Sequence, residues 1–172
     1  MTVAQRARKL ALTAHVVSSV GWLGAVTEFL ALAIAGRTSD DPQLVRGTYL
    51  AMEVVGWYVI VPLCGAALAT GLLQGVITKW GLLQHYWVTI SLGVTLFAAA
   101  MLVLHLPAVD ELAAVAADPE QDVSTLGGDL FHSLGGLVVL SIPLALNVVK
   151  PRGLTRRGWR MRPSRHGSSA EP

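Results

Sequence analysis

The chain has 172 residues, a formal net charge of +2, 53% hydrophobic residues and only 14% charged residues. Soluble domains carry roughly 25% charged residues, so this composition excludes an ordinary soluble domain. The chain has one cysteine, Cys64, which excludes an intramolecular disulfide and a CxxC-type metal or redox motif. Several apolar runs reach the length of about 20 residues that crosses a bilayer. The sequence therefore predicts an integral membrane protein.

The predicted fold class is all-α: a polytopic membrane protein with four transmembrane helices in an up-down bundle. The spans are expected at about 10–36, 49–78, 82–106 and 130–149. The first is interpreted as a retained helix, because a signal-peptide core has only 7–15 apolar residues. Residues 1–9 form a basic N-terminus, and residues 150–172 form a basic tail that is expected to be disordered. Between spans three and four, residues 108–117 could form a short interfacial helix.

Positive charge is concentrated at one end of the predicted bundle. The tight turn after span two and the two terminal segments carry eleven positive residues: Arg6, Arg8, Lys9, Lys79, Lys150, Arg152, Arg156, Arg157, Arg160, Arg162 and Arg165. The opposite end has only Arg37 and Arg46. Because loops rich in Lys and Arg stay in the cytoplasm, both termini are predicted to be cytoplasmic, in a bacterial plasma membrane. The tail is expected to contact anionic lipids, and no nucleic-acid partner is expected.

Small residues and prolines predict how the helices pack. Ala67, Gly71 and Gly75 recur at four-residue spacing in span two, which favours close helix–helix contact in a membrane. Pro62 lies inside the same span, where it should kink the helix because it lacks an N–H donor. Gln74 is expected to face the bundle interior. A homo-oligomer or a partner membrane protein is possible.

Six ionisable side chains fall within the predicted spans, and such residues are candidates for function because burying them in a membrane is costly. Two of them, His15 and His85, are expected near the predicted cytoplasmic face of the bundle. The other four are expected near the opposite face: Glu28, Glu53, His105 and His132. His85 and His105 bracket span three, about 30 Å apart at 1.5 Å per residue, so they cannot share a site. We therefore expect His15 to pair with His85, and His105 with His132.

The leading hypothesis is a redox or electron-transfer protein that binds b-type haem. Histidine nitrogens are common axial ligands of haem iron, so His15 with His85, and His105 with His132, would each hold one haem. The alternative is a transition-metal-handling protein in which Glu28, Glu53, His105 and His132 bind copper, zinc or iron. Two further alternatives remain: the two glutamates could relay protons or bind a cationic substrate, or the chain could be a non-catalytic membrane scaffold subunit.

Three stretches together carry a resemblance to a known family: "AHVVSSVGWLGAV", "KWGLLQHYWV" and "VVKPRGLTRRGW". They resemble an uncharacterised family of bacterial four-helix integral membrane proteins, which brings no established activity. The pattern His15, Trp22 and Gly24 is also similar to the first helix of two groups. These are the copper-resistance D type of membrane protein and the haem-containing membrane protoporphyrinogen oxidases. The second resemblance implies haem and an oxidase activity, and only His15 is carried over, as a haem ligand.

Overall fold

A computed structural model describes residues 2–78, 81–127 and 129–160 of the chain. The predicted positive residues Lys79, Arg162 and Arg165 lie outside these ranges. The helices are α1 (Val3–Thr38), α2 (Pro42–Val55), α3 (Val61–Ile77), α4 (Tyr86–Ala117), α5 (Leu130–Val149) and the short α6 (Arg156–Arg160). A π-helical turn, Gly56–Ile60, joins α2 to α3, and a 3₁₀ turn, Val123–Thr125, precedes α5.

Four helical segments in the described ranges are long and apolar enough to cross a membrane, which confirms the all-α, four-span prediction. They are Gln5–Thr38, Pro42–Ile77, Tyr86–Ala117 and Leu130–Val149. The first three are longer than predicted. With 32 to 36 residues they measure about 48–54 Å, well beyond the hydrocarbon core of about 30 Å. Only the fourth, with 20 residues, matches that thickness.

The second span begins seven residues earlier than predicted because the local sequence starts a helix there. The Asp41 carboxylate accepts a hydrogen bond from the Gln43 N–H at 2.9 Å, and Pro42 occupies the first helical position. Both features favour a helix N-terminus. Further along, the π-turn directly precedes Pro62, and the Val61 N–H bonds to the Gly56 carbonyl. The predicted irregularity at Pro62 therefore takes the form of a π-turn, a common response to an interrupted helical hydrogen-bond ladder.

The third span runs through Pro107 without ending. Residues 108–117, which could have formed a separate interfacial helix, instead continue α4. Their buried face carries Val109, Ala113 and Ala116, at spacings of four and three residues that place them on one side of a helix. Packing of this face against α2 provides a physical reason for the helix to persist beyond the proline.

The four spans form a closed ring in which each packs against its sequence neighbour and α5 returns to α1. The small-residue stripe of α3 faces α1 and the turn before α4: Ala67 is buried, Gly71 contacts His15 and Gly75 contacts Leu82. The Gln74 side-chain amide donates to the Ala11 carbonyl of α1 at 3.2 Å. The predicted inward placement of Gln74 is therefore observed, as is the close packing of the stripe.

The two ends of the bundle differ in packing. The end that carries residues 118–129, here called the loop end, contains the most deeply buried side chains: Ala33, Tyr49, Met52, Val109 and Ala113 are each no more than 2% exposed. The opposite end, which carries the start of α1 and the short α6, is here called the terminal end. The extended parts of α1, α2 and α4 thus build a compact cap at the loop end.

Arg46 of α2 ties this cap together. Its guanidinium donates to four backbone carbonyls at the end of α4 and in the following turn: Ala116 at 2.9 Å, Asp118 at 2.5 Å, Pro119 at 3.2 Å and Gln121 at 2.7 Å. The last carbonyls of a helix have no partners within the helix, and a cation is favoured there by the helix dipole. The arginine therefore satisfies groups that α4 itself cannot.

The described part of the tail contacts the turn before α4. Leu154 forms an isolated antiparallel bridge with His85. The Thr155 N–H and hydroxyl donate to the carbonyls of Gln84 and Leu83, at 3.0 and 2.6 Å. These bonds hold α6 against the turn before α4, at the terminal end. Residues 161–172 lie outside the described ranges.

Candidate metal centre

Three side chains from two helices meet at the loop end of the bundle. His105 comes from α4, Asp129 immediately precedes α5, and His132 lies in the first turn of α5. His105 Nε2 is 2.5 Å from Asp129 Oδ2, and His132 Nδ1 is 3.1 Å from Asp129 Oδ1. The two imidazole rings are stacked, with centroids 3.8 Å apart and planes inclined by 19°. Each carboxylate oxygen of Asp129 therefore faces one histidine.

The backbone position of Asp129 makes this arrangement unusual. It is the N-cap residue of α5, but its carboxylate makes no capping hydrogen bond to the helix. An N-cap aspartate ordinarily accepts from the second or third N–H, a contact worth about 1 kcal/mol. Its side chain instead turns to the two histidines and is only 5% exposed. The carboxylate therefore contacts the two histidines in place of the hydrogen bond that an N-cap side chain makes to its own helix.

The carboxylate of Asp129 is buried, and a buried charge is costly unless it is paired or binds a metal. Within the described ranges, its salt-bridge contacts are those to the two histidines. A bound cation would be a further partner for this carboxylate.

The three side chains can supply one ligand atom each, all within 4.8 Å of one another. Metal–nitrogen and metal–oxygen bonds of about 2.0–2.2 Å place tetrahedral ligand atoms about 3.3 Å apart. The ligand atoms thus lie within the range of separations from which side-chain rotation could bring them around one ion. His132, with its side chain 44% exposed, leaves the cluster accessible from outside the bundle.

The cluster lies near one end of the two helices that supply it. His132 is in the first turn of α5, whose 20 residues are only just long enough to cross a hydrocarbon core. About 28 Å of helix at 1.5 Å per residue separates His105 from the start of α4. The candidate centre therefore lies toward the loop end of both helices, beneath the cap.

A cleft of about 310 Å³ adjoins the cluster. It extends along α4 from Phe97 to Val109 and along α5 from Phe131 to Leu140, with α1 and the π-turn completing the wall. Apart from the cluster and Ser133, its lining consists of apolar, aromatic and glycine residues. The surface of the cleft is therefore almost wholly apolar.

The two glutamates of the predicted metal site do not join the cluster. Glu28 is exposed on α1 and Glu53 is partly buried on α2, and neither belongs to the group of close ligand atoms found among the described residues. The structure brings His105 and His132 together and adds Asp129 rather than two glutamates. The spacing of Asp129 and His132, three residues apart, could have indicated their proximity, because such residues share one face of a helix.

His15 contacts the opposing helix rather than another histidine. Its Nδ1 is 3.2 Å from both the Ala67 carbonyl and the Thr70 hydroxyl of α3. The small cavity beside it measures about 80 Å³ and is also lined by Ser91. The Ser91 hydroxyl is buried and has no hydrogen-bond partner within the described structure. This space is smaller than the 300–1,000 Å³ typical of cofactor sites. A haem at His15 would require α1 and α3 to move away from α4.

His85 lies in the turn before α4, beside the tail. It precedes the first residue of α4, bridges to Leu154, and has its ring 6.5 Å from that of Trp87. It is not among the described residues that line the cavity beside His15. At the loop end, the direct stacking of His105 on His132 leaves no space for a porphyrin between the rings. Haem ligation by either pair therefore stays a prediction that requires rearrangement.

Comparison with known proteins gives no match to a family model, to a curated protein or to a solved structure. The resemblance of the three sequence stretches to a four-helix membrane family, and of the first helix to two further groups, therefore stays a prediction. The functional argument rests on the geometry of the site.

Proposed function

We propose that this membrane protein handles a divalent transition-metal ion, which binds to His105, Asp129 and His132 at the loop end. The observation that supports the proposal is the convergence of three ligand atoms within 4.8 Å around a buried carboxylate. That carboxylate is not used as a helix cap. The proposal keeps the two histidines of the predicted metal site and replaces its glutamates by Asp129.

The ligand set narrows the choice of metal. Imidazole nitrogens suit zinc, copper, iron and nickel, whereas calcium and magnesium prefer sites built from oxygen alone. Three protein ligands leave at least one coordination position open, which is typical of sites that exchange a ligand rather than of closed structural sites. A centre of this kind could take up and release an ion, or present it to a small molecule.

The proposed orientation is that both termini are cytoplasmic and the loop end faces outward, in a bacterial plasma membrane. The sequence has eleven positive residues in its two terminal segments and the turn after span two, against two in the segment between spans one and two, and this distribution supports the orientation. The centre would then meet metal ions from outside the cell. At the terminal end, Arg156, Arg157 and Arg160 are exposed beside Trp159, which is 61% exposed. This combination supports contact with anionic lipid headgroups.

Equilibrium metal binding tests the proposed centre. Purified protein in detergent would be stripped with a chelator and titrated with Zn²⁺ and with Co²⁺, whose visible spectrum reports coordination. We expect one ion per chain. Asp129→Asn and His105→Ala should each weaken binding by at least about tenfold, because the first removes the charge of the carboxylate ligand and the second removes a ligand nitrogen. Binding should also weaken toward low pH, since protons compete for the same imidazole nitrogens.

Matched variants separate this ligand set from the alternatives. Glu28→Gln and Glu53→Gln should leave the affinity unchanged, because neither carboxylate belongs to the cluster. His15→Ala, at the other end of the bundle, should also be neutral. Equal loss of affinity in the glutamate variants would contradict the ligand set, and the absence of stoichiometric binding by the unaltered protein would refute the metal proposal.

A further inference from the structure

We infer that the small cavity beside His15 binds a cluster of water molecules inside the bundle. The inference rests on Ser91 of α4, whose buried hydroxyl has no hydrogen-bond partner among the described residues, and on the polar side chains that share the cavity with it. It is independent of the proposed metal ion, because no residue of the candidate centre lines this cavity.

Ser91 differs from other hydroxyl residues of the spans. Thr27, Thr95 and Ser141 each donate to the carbonyl four residues earlier in their own helix, at 2.8, 2.7 and 2.8 Å. This bond is a common way for serine and threonine to satisfy their hydroxyls within a helix. Ser91 is only 7% exposed and makes no such bond. Because a buried hydroxyl without a hydrogen bond is costly, we expect a partner from outside the protein.

Three helices bring polar groups to the cavity. Besides Ser91, its lining includes His15 of α1, Thr95 of α4 and Asn147 of α5. The Thr95 hydroxyl donates to the carbonyl of Ser91, and its oxygen can still accept a hydrogen bond. The Asn147 Nδ2 donates to the Pro143 carbonyl at 2.7 Å, but an amide has a second N–H and an acceptor oxygen. A buried water typically makes about three hydrogen bonds, so groups of this kind suit it.

The size of the cavity favours water over a larger ligand. Its volume of about 80 Å³ is well below the 300–1,000 Å³ of typical small-molecule sites. A water molecule takes up about 30 Å³ in the liquid, so about two molecules fit. A cavity lined only by apolar groups stays dry. The polar lining and the unpartnered Ser91 hydroxyl therefore distinguish this cavity from a dry packing defect.

The cavity lies toward the terminal end of the bundle. Two of its lining residues are Asn147, in the last turn of α5, and Leu82, in the turn before α4. His15 and Ser91 belong to α1 and α4, which do not follow each other around the ring of spans. The water cluster therefore links two helices across the bundle.

Water contact can be measured directly on the full chain in liposomes. Protein with ¹⁵N-labelled histidine would be studied by solid-state NMR with magnetisation transferred from water, and loss of a signal in His15→Gln would identify His15. We expect transfer to His15. Ser91→Leu should remove most of it, because the larger apolar side chain fills the cavity. Ser141→Leu, at an exposed position outside the cavity lining, should leave it unchanged. Absence of transfer to His15 in the unaltered protein, or equal transfer in Ser91→Leu, would overturn the inference.

A smaller substitution guards against misfolding of Ser91→Leu. Ser91→Ala removes only the hydroxyl and should lower the thermal midpoint of unfolding in detergent by about 2–4 °C, as loss of one hydrogen bond does in a chain of this size. In the control Ser141→Ala, the lost hydroxyl donates to its own helix, and the midpoint should change less. An unchanged or higher midpoint for Ser91→Ala would overturn the inference, because removal of an unpartnered buried hydroxyl does not destabilise a protein. An equal fall in both variants would overturn it too.

Discussion

Arg46 shows how one side chain holds the loop-end cap. Its planar guanidinium reaches four carbonyls at once, a geometry that a lysine ammonium cannot reproduce. We expect Arg46→Lys to lower the free energy of unfolding by about 1–2 kcal/mol, because some of these carbonyls lose a charged donor. Thermal or denaturant unfolding in detergent, followed by circular dichroism, measures the change.

The matched control is Arg37→Lys, an exposed arginine at the end of α1. It should change stability by no more than about 0.5 kcal/mol, as surface substitutions usually do. Equal effects of the two substitutions would contradict the role assigned to Arg46.

The sequence identified two of the three residues of the candidate centre for a physical reason. His105 and His132 are conspicuous because ionisable residues are rare in apolar spans. Asp129 is less conspicuous because an aspartate before a helix ordinarily indicates an N-cap. Only the structure shows that its carboxylate leaves the helix end for the two rings. Glu28 was grouped with the two histidines because it lies late in span one, but its direction around α1 could not be obtained from that position alone.

At the scale of helices, Gly71 controls the distance between α1 and α3. A Cβ at this position would lie 3.0 Å from His15 Cε1, so a larger side chain must displace the His15 ring from its contacts with α3. We expect Gly71→Leu to destabilise the protein by about 1–3 kcal/mol, as overpacking typically does. Unfolding in detergent, measured by loss of helical circular dichroism, checks this expectation.

Gly65→Leu is the internal control on the same helix. Gly65 is exposed, and a Cβ there meets no neighbouring heavy atom within 4 Å. This substitution should be neutral or slightly stabilising, since leucine favours helix by roughly 0.5–1 kcal/mol over glycine. If both substitutions had the same effect, the small-residue stripe would not determine the packing.

Hydropathy predicted the number of spans but not where the helices end. The thickness of the hydrocarbon core sets a minimum length for each spanning helix. The apolar runs of the sequence indicate only that minimum length. The extensions depend on other forces: the Asp41 cap for α2, and the buried face of Val109, Ala113 and Ala116 for α4. A proline inside a helix usually signals an end, so continuation through Pro107 could be recognised only from its packing.

For the whole molecule, the proposed orientation can be tested by labelling. In a Cys64→Ser background, single cysteines would replace the exposed residues Glu120 at the loop end and Arg152 at the terminal end. A membrane-impermeant maleimide should label the first in intact cells and the second only after permeabilisation, because the charge distribution predicts cytoplasmic termini. The reverse pattern would place the candidate centre on the cytoplasmic side.

The whole molecule also explains why the centre lies where it does. The three long spans are 32 to 36 residues long and build the cap, whereas α5 has only 20 residues. The cluster therefore sits between a packed cap and an apolar cleft, where its ligands are held on two helices but one ring stays exposed.

X-ray absorption at the metal edge of the Zn²⁺-loaded protein tests the central claim most directly, because it counts the ligands around the bound ion. Coordination by two imidazole nitrogens together with oxygen ligands, at about 2.0–2.2 Å, is the result that the account predicts. Asp129→Asn should alter the oxygen shell or leave no ordered site. A spectrum with one imidazole or none, or one unchanged by His105→Ala and His132→Ala, would contradict a metal centre at this cluster.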